Sequence, residues 1–410
     1  MSIFNSLGSN YDFDFVLKSL FSNTSMYHSR LHQLLKDKYG GNVVLLYKGR
    51  EAIELALRSL NLPKDSHIAI NGFTCFAVYE AVKNAGLNLE YLDIDRGELN
   101  FSAETLREAL EKNPKVKAVI IQNTLGYPCE IAGIEKICKD KNLVLIEDLA
   151  HSIGTKYENG EEAGTVGDFT VLSFSQDKMI DGISGGALIS KAFNNSVVVK
   201  REGAKLDHLE GELDSHLKGI HTNQQLIDKF YPLFTYIIRG TYPFLIGKIF
   251  HEILKRLNLL SKPMPNIDGY HILPSWYSNL ISAQFQNLDE NLNHRKTIAS
   301  IYAKNINPKI LSPKIVDKIH LSSNLRFPIF ITDRENLIKY LAKNQIYVSD
   351  IWYDAPVAPK KFLSQTDYQD QCPNSELAAS AILNLPTHIN VSEKDAQKIS
   401  SLINQWLTSQ

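Results

Sequence analysis

The feature of the sequence that most constrains the fold is an alternation of short apolar runs with helix-like stretches between about residues 40 and 200. Several of the runs are apolar at nearly every position, which is typical of strands that are covered on both faces of a sheet. Strands that alternate with helices predict an α/β fold with a mainly parallel sheet and right-handed crossovers. The predicted strands are 68–70, 89–94, 116–121, 143–147, 169–174 and 187–190, and the predicted helices are 49–60, 76–85 and 131–139.

The rest of the chain changes character twice, so that four segments are predicted. After about residue 290 the strand and helix patterns return, and Ser392 and Asp395 form a Ser–x–x–Asp pattern that starts a terminal helix. The predicted elements there are 326–331 (strand), 335–343 and 391–407 (helices). The predicted segments are 1–40 (N-terminal helical lead-in), 41–200 (large domain), 201–268 (helical insertion) and 269–410 (connecting helix and small C-terminal α+β domain).

The predicted insertion contains an apolar, aromatic-rich stretch at 229–250. Pro232, Pro243, Arg239 and Lys248 interrupt this stretch, so it does not predict a membrane span. The favoured interpretation is a helical hairpin that packs on the core or on a second subunit. An amphipathic segment that contacts a membrane surface is the alternative.

Composition bounds the class of protein. Hydrophobic residues make up 44% and charged residues 22% of the chain, as in ordinary globular proteins, and the net charge of −1 gives no sign of a nucleic-acid-binding surface. The four cysteines (Cys75, Cys129, Cys138 and Cys372) lack the CxxC spacing of zinc and redox sites, so we expect no metal and reduced thiols. The first residues lack the basic and apolar regions of a secretory signal, and we expect a cytoplasmic protein.

Three features at the predicted strand ends have two interpretations each. Asp148 directly follows a strand, where it is either a ligand-binding carboxylate or a helix cap. Lys178 lies between a strand and a Gly-Gly pair, where it is either a solvated loop residue or a buried amine that reacts with aldehydes. Gly49 and Arg50 begin a helix, which is either an anion site or a plain helix start with a surface arginine.

The three features fit one cofactor when they are taken together. Pyridoxal 5′-phosphate needs a lysine that binds its aldehyde, a carboxylate that keeps its ring nitrogen protonated, and a helix end that holds its phosphate. The chain offers a phosphate turn, a carboxylate and a strand-end lysine in that order.

Six segments in order carry a resemblance to one family: GREAIELA (49–56), NGFTCFA (71–77), NTLGYP (123–128), VLIEDLAHSIG (144–154), LSFSQDKMIDGISGGA (172–187) and CPNSELAASAILNLPTH (372–388). In these segments the chain resembles the DegT/StrS-type (DnrJ/EryC-like) sugar aminotransferases, which are pyridoxal phosphate enzymes of fold type I. The resemblance runs from about residue 40 to residue 407, and the segment 200–268 interrupts it. It implies a large domain built on a mainly parallel, seven-stranded sheet and a smaller C-terminal domain.

The resemblance also implies roles for single residues. Lys178 matches the lysine that binds the cofactor covalently, and Asp148 matches the carboxylate at the pyridine nitrogen. Because relatives that dehydrate sugars carry histidine in place of this lysine, Lys178 favours transamination. The remaining cofactor-binding positions are His151 near the phenolic oxygen, Ser173 and the turn Gly49, Arg50 and Glu51 at the phosphate, and Cys75 and Phe76 at the ring-stacking position.

The sequence departs from the family pattern at several of these positions. Arg50 replaces the usual threonine of the phosphate turn, and Cys75 replaces the aromatic residue that stacks on the ring, so that Phe76 stacks or neither does. The phosphate contact that a partner subunit donates has no clear match, and the candidates for it are Asn266, Tyr270 and His271.

The function implied by the resemblance is transfer of an amino group from an amino acid, L-glutamate by family resemblance, to a nucleotide-linked keto-sugar. The product would enter cell-surface polysaccharide or other amino-sugar biosynthesis, and the enzyme would be a homodimer. Two alternatives of the same fold stay open. One is a pyridoxal phosphate-dependent lyase, and the other is a cofactor-binding regulatory protein without catalysis.

Overall fold

The computed structural model describes residues 2–22, 26–191, 218–262 and 269–410, so that Asn266 and 201–217 of the predicted insertion lie outside the described residues. The strands are β1 (Ile3–Phe4), β2 (Asn42–Leu46), β3 (His67–Asn71), β4 (Thr74–Cys75), β5 (Asn88–Leu92), β6 (Val116–Ile121), β7 (Val144–Asp148), β8 (Phe169–Ser173), β9 (Gly186–Ser190), β10 (Arg326–Phe330), β11 (Ile346–Tyr347), β12 (Val357–Ala358) and β13 (Ile382–Pro386). The α-helices are α1 (Phe13–Phe21), α2 (Met26–Tyr39), α3 (Gly49–Ser59), α4 (Phe76–Asn84), α5 (Ala103–Lys112), α6 (Ile131–Lys141), α7 (Thr222–Thr241), α8 (Ile246–Arg256), α9 (Ser275–Gln286), α10 (Leu288–Asn305), α11 (Pro313–Asp317), α12 (Arg334–Lys343), α13 (Pro373–Ala381) and α14 (Glu393–Thr408).

A seven-stranded sheet in the order β2-β9-β8-β7-β6-β3-β5 organises the first half of the chain. Strands β5, β3, β6, β7 and β8 run parallel to one another, and β9 pairs antiparallel with both β8 and β2. The predicted α/β fold is thereby confirmed, and every predicted helix and strand lies within two residues of its observed bounds. Short elements such as β2 and β4 were not predicted.

The sheet is apolar on both faces because each face is covered. One buried cluster contains Leu45, Val119 and Leu145, and a second cluster contains Ile70 and Ile146 with the apolar face of α3. Since alternate residues of a strand point to opposite faces, neighbours such as Leu145 and Ile146 enter different clusters. This double burial explains why the strands are apolar at nearly every position, and it holds the carboxyl ends of β6, β7 and β8 side by side.

The C-terminal part of the chain has a core of its own. The antiparallel pair of β10 and β13 packs with α10, α12 and α14 around residues such as Phe327, Leu337 and Ile403. Helix α14 begins at the predicted cap, because the Ser392 hydroxyl accepts the Asp395 N–H while the Asp395 carboxylate accepts the Ser392 N–H.

The predicted helical lead-in is only partly helical. Before α1, strand β1 pairs parallel with β11 of the C-terminal core, and residues 5–10 that follow it form bends and a turn. His388 Nε2 lies 2.8 Å from the Phe4 carbonyl oxygen, and the Asn390 amide donates to the carbonyl oxygen of Ser9 at 2.7 Å. The start of the chain therefore ties the two cores together.

The described part of the predicted insertion consists mainly of α7 and α8, which pack on each other while α7 also packs on α1. Two charged residues of α7 are buried. The carboxylate of Asp228 accepts the hydroxyls of Tyr47 and Tyr277 at 2.6 Å each, and the Arg239 guanidinium donates to the Tyr11 carbonyl oxygen. None of the helices in the described ranges is long and apolar enough to cross a membrane.

The contacts of Asp228 yield a prediction about stability. Replacing Asp228 with alanine leaves two buried phenol hydroxyls without their acceptor, and we expect a loss of about 3 kcal/mol in the free energy of unfolding, measured by urea denaturation. Asp228→Asn keeps one acceptor oxygen and should lose less. Glu252→Ala removes an exposed carboxylate of the neighbouring helix and should leave the unfolding midpoint unchanged. An unchanged midpoint for Asp228→Ala would contradict this role.

Candidate active site

A cavity of about 290 Å³ opens at the carboxyl ends of β6, β7 and β8. Ligands of open α/β folds bind at this edge of the sheet. The cavity brings together most residues that the sequence predicted for a cofactor site. Those lining it are Gly49, Arg50, Cys75, Asp148, His151, Ser173 and Lys178.

Lys178 lies on the loop between β8 and β9, and a buried carboxylate sets the conformation of that loop. Asp181 accepts the N–H of Asp177 at 2.7 Å and the N–H of Ile183 at 2.9 Å. The Tyr11 hydroxyl donates to the same carboxylate at 2.8 Å. Both loop residues have positive φ, 63° at Asp177 and 73° at Ile183, so these hydrogen bonds hold strained backbone in place.

The environment of Lys178 favours a reactive amine. Burial lowers its pKa, and the nearby Cys75 and Asp148 oppose that shift. Its Nζ lies 4.6 Å from the centre of the Trp352 ring. A lysine whose amine is more readily neutral, and which an aromatic face positions, is suited to attack an aldehyde.

Asp148 ends β7 and faces the same cavity. Burial raises its pKa to about 6, and the Ala150 N–H and the charge of Lys178 act in the opposite direction. The N–H of Ala150 donates to Oδ1 at 2.9 Å, which leaves Oδ2 for a ligand. Above about pH 6 the group is therefore an anion, as a partner for a protonated pyridine nitrogen must be.

His151 is a neutral side chain, and a hydrogen bond to its ring indicates which nitrogen carries the proton. Its pKa lies well below the usual range because of burial and because of the charges of Lys178 and Arg326. Nδ1 accepts the Leu125 N–H at 3.2 Å, so the proton of the neutral ring resides on Nε2. The ring is stacked on Trp352 with centroids 5.1 Å apart. His151 is therefore a hydrogen-bond donor to a ligand oxygen.

The phosphate turn is built by close packing. A Cβ on Gly49 would lie 2.8 Å from Cβ of Ser173, so only glycine lets the start of α3 approach the end of β8. Lys48, which precedes the helix, makes no side-chain capping bond, and the first N–H groups of α3 stay available to an anion. These N–H groups and the hydroxyl of Ser173 fit a phosphate. Arg50 lines the cavity, but its guanidinium also forms an ion pair with Glu80 of α4.

Two residues that the sequence placed in the site do not line the cavity. The Glu51 carboxylate lies 3.2 Å from Nδ1 of His271 in a buried pair. Phe76 stacks on Phe362, with centroids 4.8 Å apart, outside the cavity. Both assignments stay predictions, and the direction of each helix explains why these two side chains do not line the cavity. Positions 51 and 76 fall on faces of α3 and α4 that pack against other elements.

The two described candidates for the partner's phosphate contact are engaged within their own chain. His271 is the residue paired with Glu51, and the Tyr270 hydroxyl donates to Glu54 at 3.2 Å. A bridge between Leu46 and Ile272 adds the same segment to the edge of the large sheet.

The cavity is also lined by residues that the sequence analysis did not assign to the site. Trp352 and Tyr353 both line it, and the Tyr353 hydroxyl lies 3.1 Å from His151 Nδ1. Tyr353 has a φ of 67°, which is rare for an aromatic residue and marks a constrained site. Lys48 and Gln122 also line the cavity. Gln122 directly follows β6, where the strand-end rule could have found it, and Lys48 directly precedes the phosphate turn.

The model of the DegT/DnrJ/EryC1/StrS aminotransferase family matches residues 14–200 and 274–404, which is most of the chain. The chain belongs to this family. The gap in the match contains the described helices α7 and α8, which the family model therefore does not cover.

Its relatives are remote and cover most of its length. A GDP-perosamine synthase of Escherichia coli O157:H7 is 23% identical over 87% of this chain and 84% of its own length. A pleiotropic regulatory protein of Geobacillus stearothermophilus is 24% identical over 87% of this chain and 83% of its own length. Among solved structures, Helicobacter pylori PseC, an aminotransferase involved in the biosynthesis of pseudoaminic acid, superposes with a TM-score of 0.71 at 18% identity and covers 100% of both chains.

The cofactor of the family is pyridoxal 5′-phosphate, and structures of this fold include its pyridoxal and pyridoxamine phosphate forms. The donor set of the cavity fits that group. Lys178 is placed for the aldehyde, Asp148 for the ring nitrogen, and the turn at Gly49 with Ser173 for the phosphate.

These positions predict how the cofactor is attached. Lys178→Ala should lose the visible absorption of the cofactor after gel filtration, because Lys178 is the lysine beside Asp148, whereas Lys48, which also lines the cavity, lies at the phosphate turn. Lys191→Ala is the matched control. Lys191 is also a partly buried lysine with a lowered pKa, but its Nζ donates to the Gly164 carbonyl oxygen away from the cavity. Loss of the band in the control, or its survival in Lys178→Ala, would contradict the assignment.

Proposed function

We propose that the protein is an aminotransferase that moves an amino group from L-glutamate to a keto-sugar carried by a nucleotide. The observation that carries the proposal is the meeting of Lys178 and Asp148 in one cavity of a chain that belongs to a sugar aminotransferase family. The GDP-perosamine synthase among its relatives supports a nucleotide-linked sugar as acceptor.

The residues of the cavity have distinct tasks in this reaction. Bound pyridoxal phosphate supplies an electron sink that acidifies the C–H next to the donor's nitrogen. Lys178 Nζ then takes that proton from the donor's Cα, which its lowered pKa permits, and transfer of this kind contributes roughly 10²–10⁴-fold. Asp148 holds negative charge opposite the ring nitrogen, and His151 donates from Nε2. The same steps in reverse deliver the amino group to the sugar.

The first half of the reaction can be measured without knowing the sugar. The absorption spectrum of the purified protein with pyridoxal phosphate should lose its visible band when L-glutamate is added, and one equivalent of 2-oxoglutarate should appear. Lys178→Ala should give neither change. Once this half-reaction is seen, the reacted enzyme should regain the band with the correct nucleotide-linked keto-sugar.

A regulatory protein without catalysis is the second candidate function. The pleiotropic regulatory protein among the relatives and the absence of an aromatic side chain at Cys75 favour it. Such a protein would show the visible band but would not respond to amino donors. A lyase differs again, because it would consume an amino acid in many turnovers with no keto acceptor present. The glutamate experiment therefore separates the three functions.

The finer parts of the proposal concern assembly and location. A homodimer in the cytoplasm is inferred from the family resemblance, and the four free cysteines support a reducing compartment. Contact with an anionic membrane surface is inferred from α8. Leu245, Ile246, Ile249 and Leu257 are each about 60% exposed there, and α8 places them on one face.

The charge around α8 favours a lipid surface over another protein. Residues 242–262 hold four basic side chains (Lys248, Lys255, Arg256 and Lys262) and one acidic side chain (Glu252) in a chain whose net charge is −1. An exposed apolar stripe with basic flanks is typical of helices that lie in the headgroup region of a membrane. The sequence placed this contact at 229–250, but the buried residues of α7 shift it toward α8.

Flotation with vesicles tests the membrane contact. We expect the protein to float with vesicles that contain phosphatidylglycerol and to stay behind with neutral phosphatidylcholine alone. Exchanging Ile249 and Ile253 for glutamate should abolish flotation, while Leu377→Glu, at an equally exposed leucine of α13, should not. Light scattering on the same variants is the check. If the mass of the α8 variant falls from that of a dimer (twice 46.3 kDa) to that of a monomer, the stripe is assigned to contact between copies of the chain.

A further inference from the structure

Lys48 is a buried cation that the proposed reaction does not yet use. The residue is 5% exposed and lines the active-site cavity directly before the phosphate turn. Within the described ranges, its Nζ has no hydrogen bond or ion pair, and its contact is the Tyr47 ring at 4.8 Å. A buried ammonium without a hydrogen-bonding partner is unusual, because its desolvation is not compensated.

The backbone of Lys48 is held rigidly. It forms a parallel bridge with Gly185, and a Cβ on Gly186 would lie 2.4 Å from the Lys48 carbonyl carbon. Its side chain therefore starts from a fixed point between the start of α3 and the end of the Lys178 loop. Tyr47, on which the ammonium lies, is itself fixed by its hydrogen bond to Asp228.

The charge environment of Lys48 favours an anionic ligand. Burial is the main cause that lowers its pKa to about 8; Asp228 and Glu51 oppose the shift, and the nearby Arg50 adds to it. Both carboxylates are committed elsewhere, Asp228 to two phenols and Glu51 to His271. At pH 7.5 the side chain is mostly charged, and an anion in the cavity would stabilise that charge.

The neighbours of Lys48 identify the anion by its chemistry. The uncapped N–H groups of α3 and the hydroxyl of Ser173 are donors suited to a phosphate. Arg50, which the sequence assigned to the phosphate, is paired with Glu80, so its charge is offset. Lys48 is then the cation beside this turn that lacks a carboxylate partner, among the residues that line the cavity.

We propose that Lys48 binds the phosphate of pyridoxal phosphate from within the same subunit, in the role that the sequence suggested for Arg50 or for a residue of a partner. This inference rests on the proposed function, because it presumes that the cavity holds this cofactor. It also explains how the phosphate is neutralised in a chain whose described candidates for the partner contact, Tyr270 and His271, are engaged in their own subunit.

Binding of two forms of the cofactor tests the proposal. The dissociation constants of pyridoxal phosphate and of pyridoxal, which lacks the phosphate, are measured on cofactor-free protein by absorbance and by quenching of tryptophan fluorescence. Lys48→Met keeps the apolar stem and removes the charge. We expect it to weaken pyridoxal phosphate binding about 10- to 100-fold and to leave pyridoxal binding unchanged. Inorganic phosphate should compete with pyridoxal phosphate on the wild type about 10-fold better than on Lys48→Met.

Two further variants keep the result interpretable. Lys48→Arg retains a cation and should restore most of the affinity, and Arg50→Met should cost less than Lys48→Met because Arg50 is already paired. Equal losses for pyridoxal and pyridoxal phosphate, together with a lower melting temperature of the cofactor-free protein, would assign Lys48 a structural role and overturn the proposal.

The remaining outcomes also decide whether Lys48 binds the phosphate of the cofactor. If Lys48→Met binds pyridoxal phosphate normally but loses affinity for a nucleoside diphosphate sugar, the ammonium serves the substrate's diphosphate and the proposal is wrong. If the wild type itself fails to bind pyridoxal phosphate, the proposed function fails with it. If the wild type and Lys48→Met both bind pyridoxal phosphate normally, only the role of Lys48 is overturned.

Discussion

The site depends first on the buried carboxylate of Asp181. It accepts the N–H groups of Asp177 and Ile183, on either side of Lys178, and it accepts the hydroxyl of Tyr11 from the N-terminal segment. These bonds hold two residues with positive φ in a loop that would otherwise relax. Burial raises the pKa of Asp181 to about 6, and its hydrogen bonds counter that shift, so the carboxylate is charged at neutral pH. The position of the lysine is thus decided by a residue that does not line the cavity.

The electrostatics of the cavity follow from the burial of its ionisable groups, which raises the pKa of an acid and lowers the pKa of a base. Burial raises the pKa of Asp148 and lowers those of Lys178, His151 and Lys48. The result at pH 7.5 is a carboxylate at one end, a neutral imidazole in the middle and a lysine that can give up its proton. Lys48 lies beside the phosphate turn, which is the end where a dianion would need a cation. One cavity thus offers complementary charge to both ends of an amphoteric cofactor.

The large sheet was predictable because its strands are buried on both faces, and the resulting apolar runs are independent of tertiary detail. The strand-end rule then located Asp148, Ser173 and Lys178, since parallel strands bring their ends together. The direction of individual side chains was harder to predict from the sequence than the strands were. Sequence spacing did not reveal that Arg50 turns to Glu80 or that Glu51 turns to His271, because each partner comes from a distant segment. Trp352 and Tyr353 enter the cavity through a backbone conformation at Tyr353 that the sequence pattern does not encode.

Helix α7 of the predicted insertion makes buried contacts with residues that support the site. Asp228 and Arg239 of α7 are 0% and 4% exposed, and their partners are Tyr47, Tyr277 and the N-terminal segment that also reaches Asp181. Removing the whole insertion would strip Tyr47 of its acceptor and disturb the ring on which Lys48 lies. A deletion would then lower stability and disturb the cavity together. The exposed apolar stripe belongs to α8, whereas the buried charges belong to α7. Substitutions on α8 therefore change the outer surface of these helices and leave the buried hydrogen bonds of α7 in place.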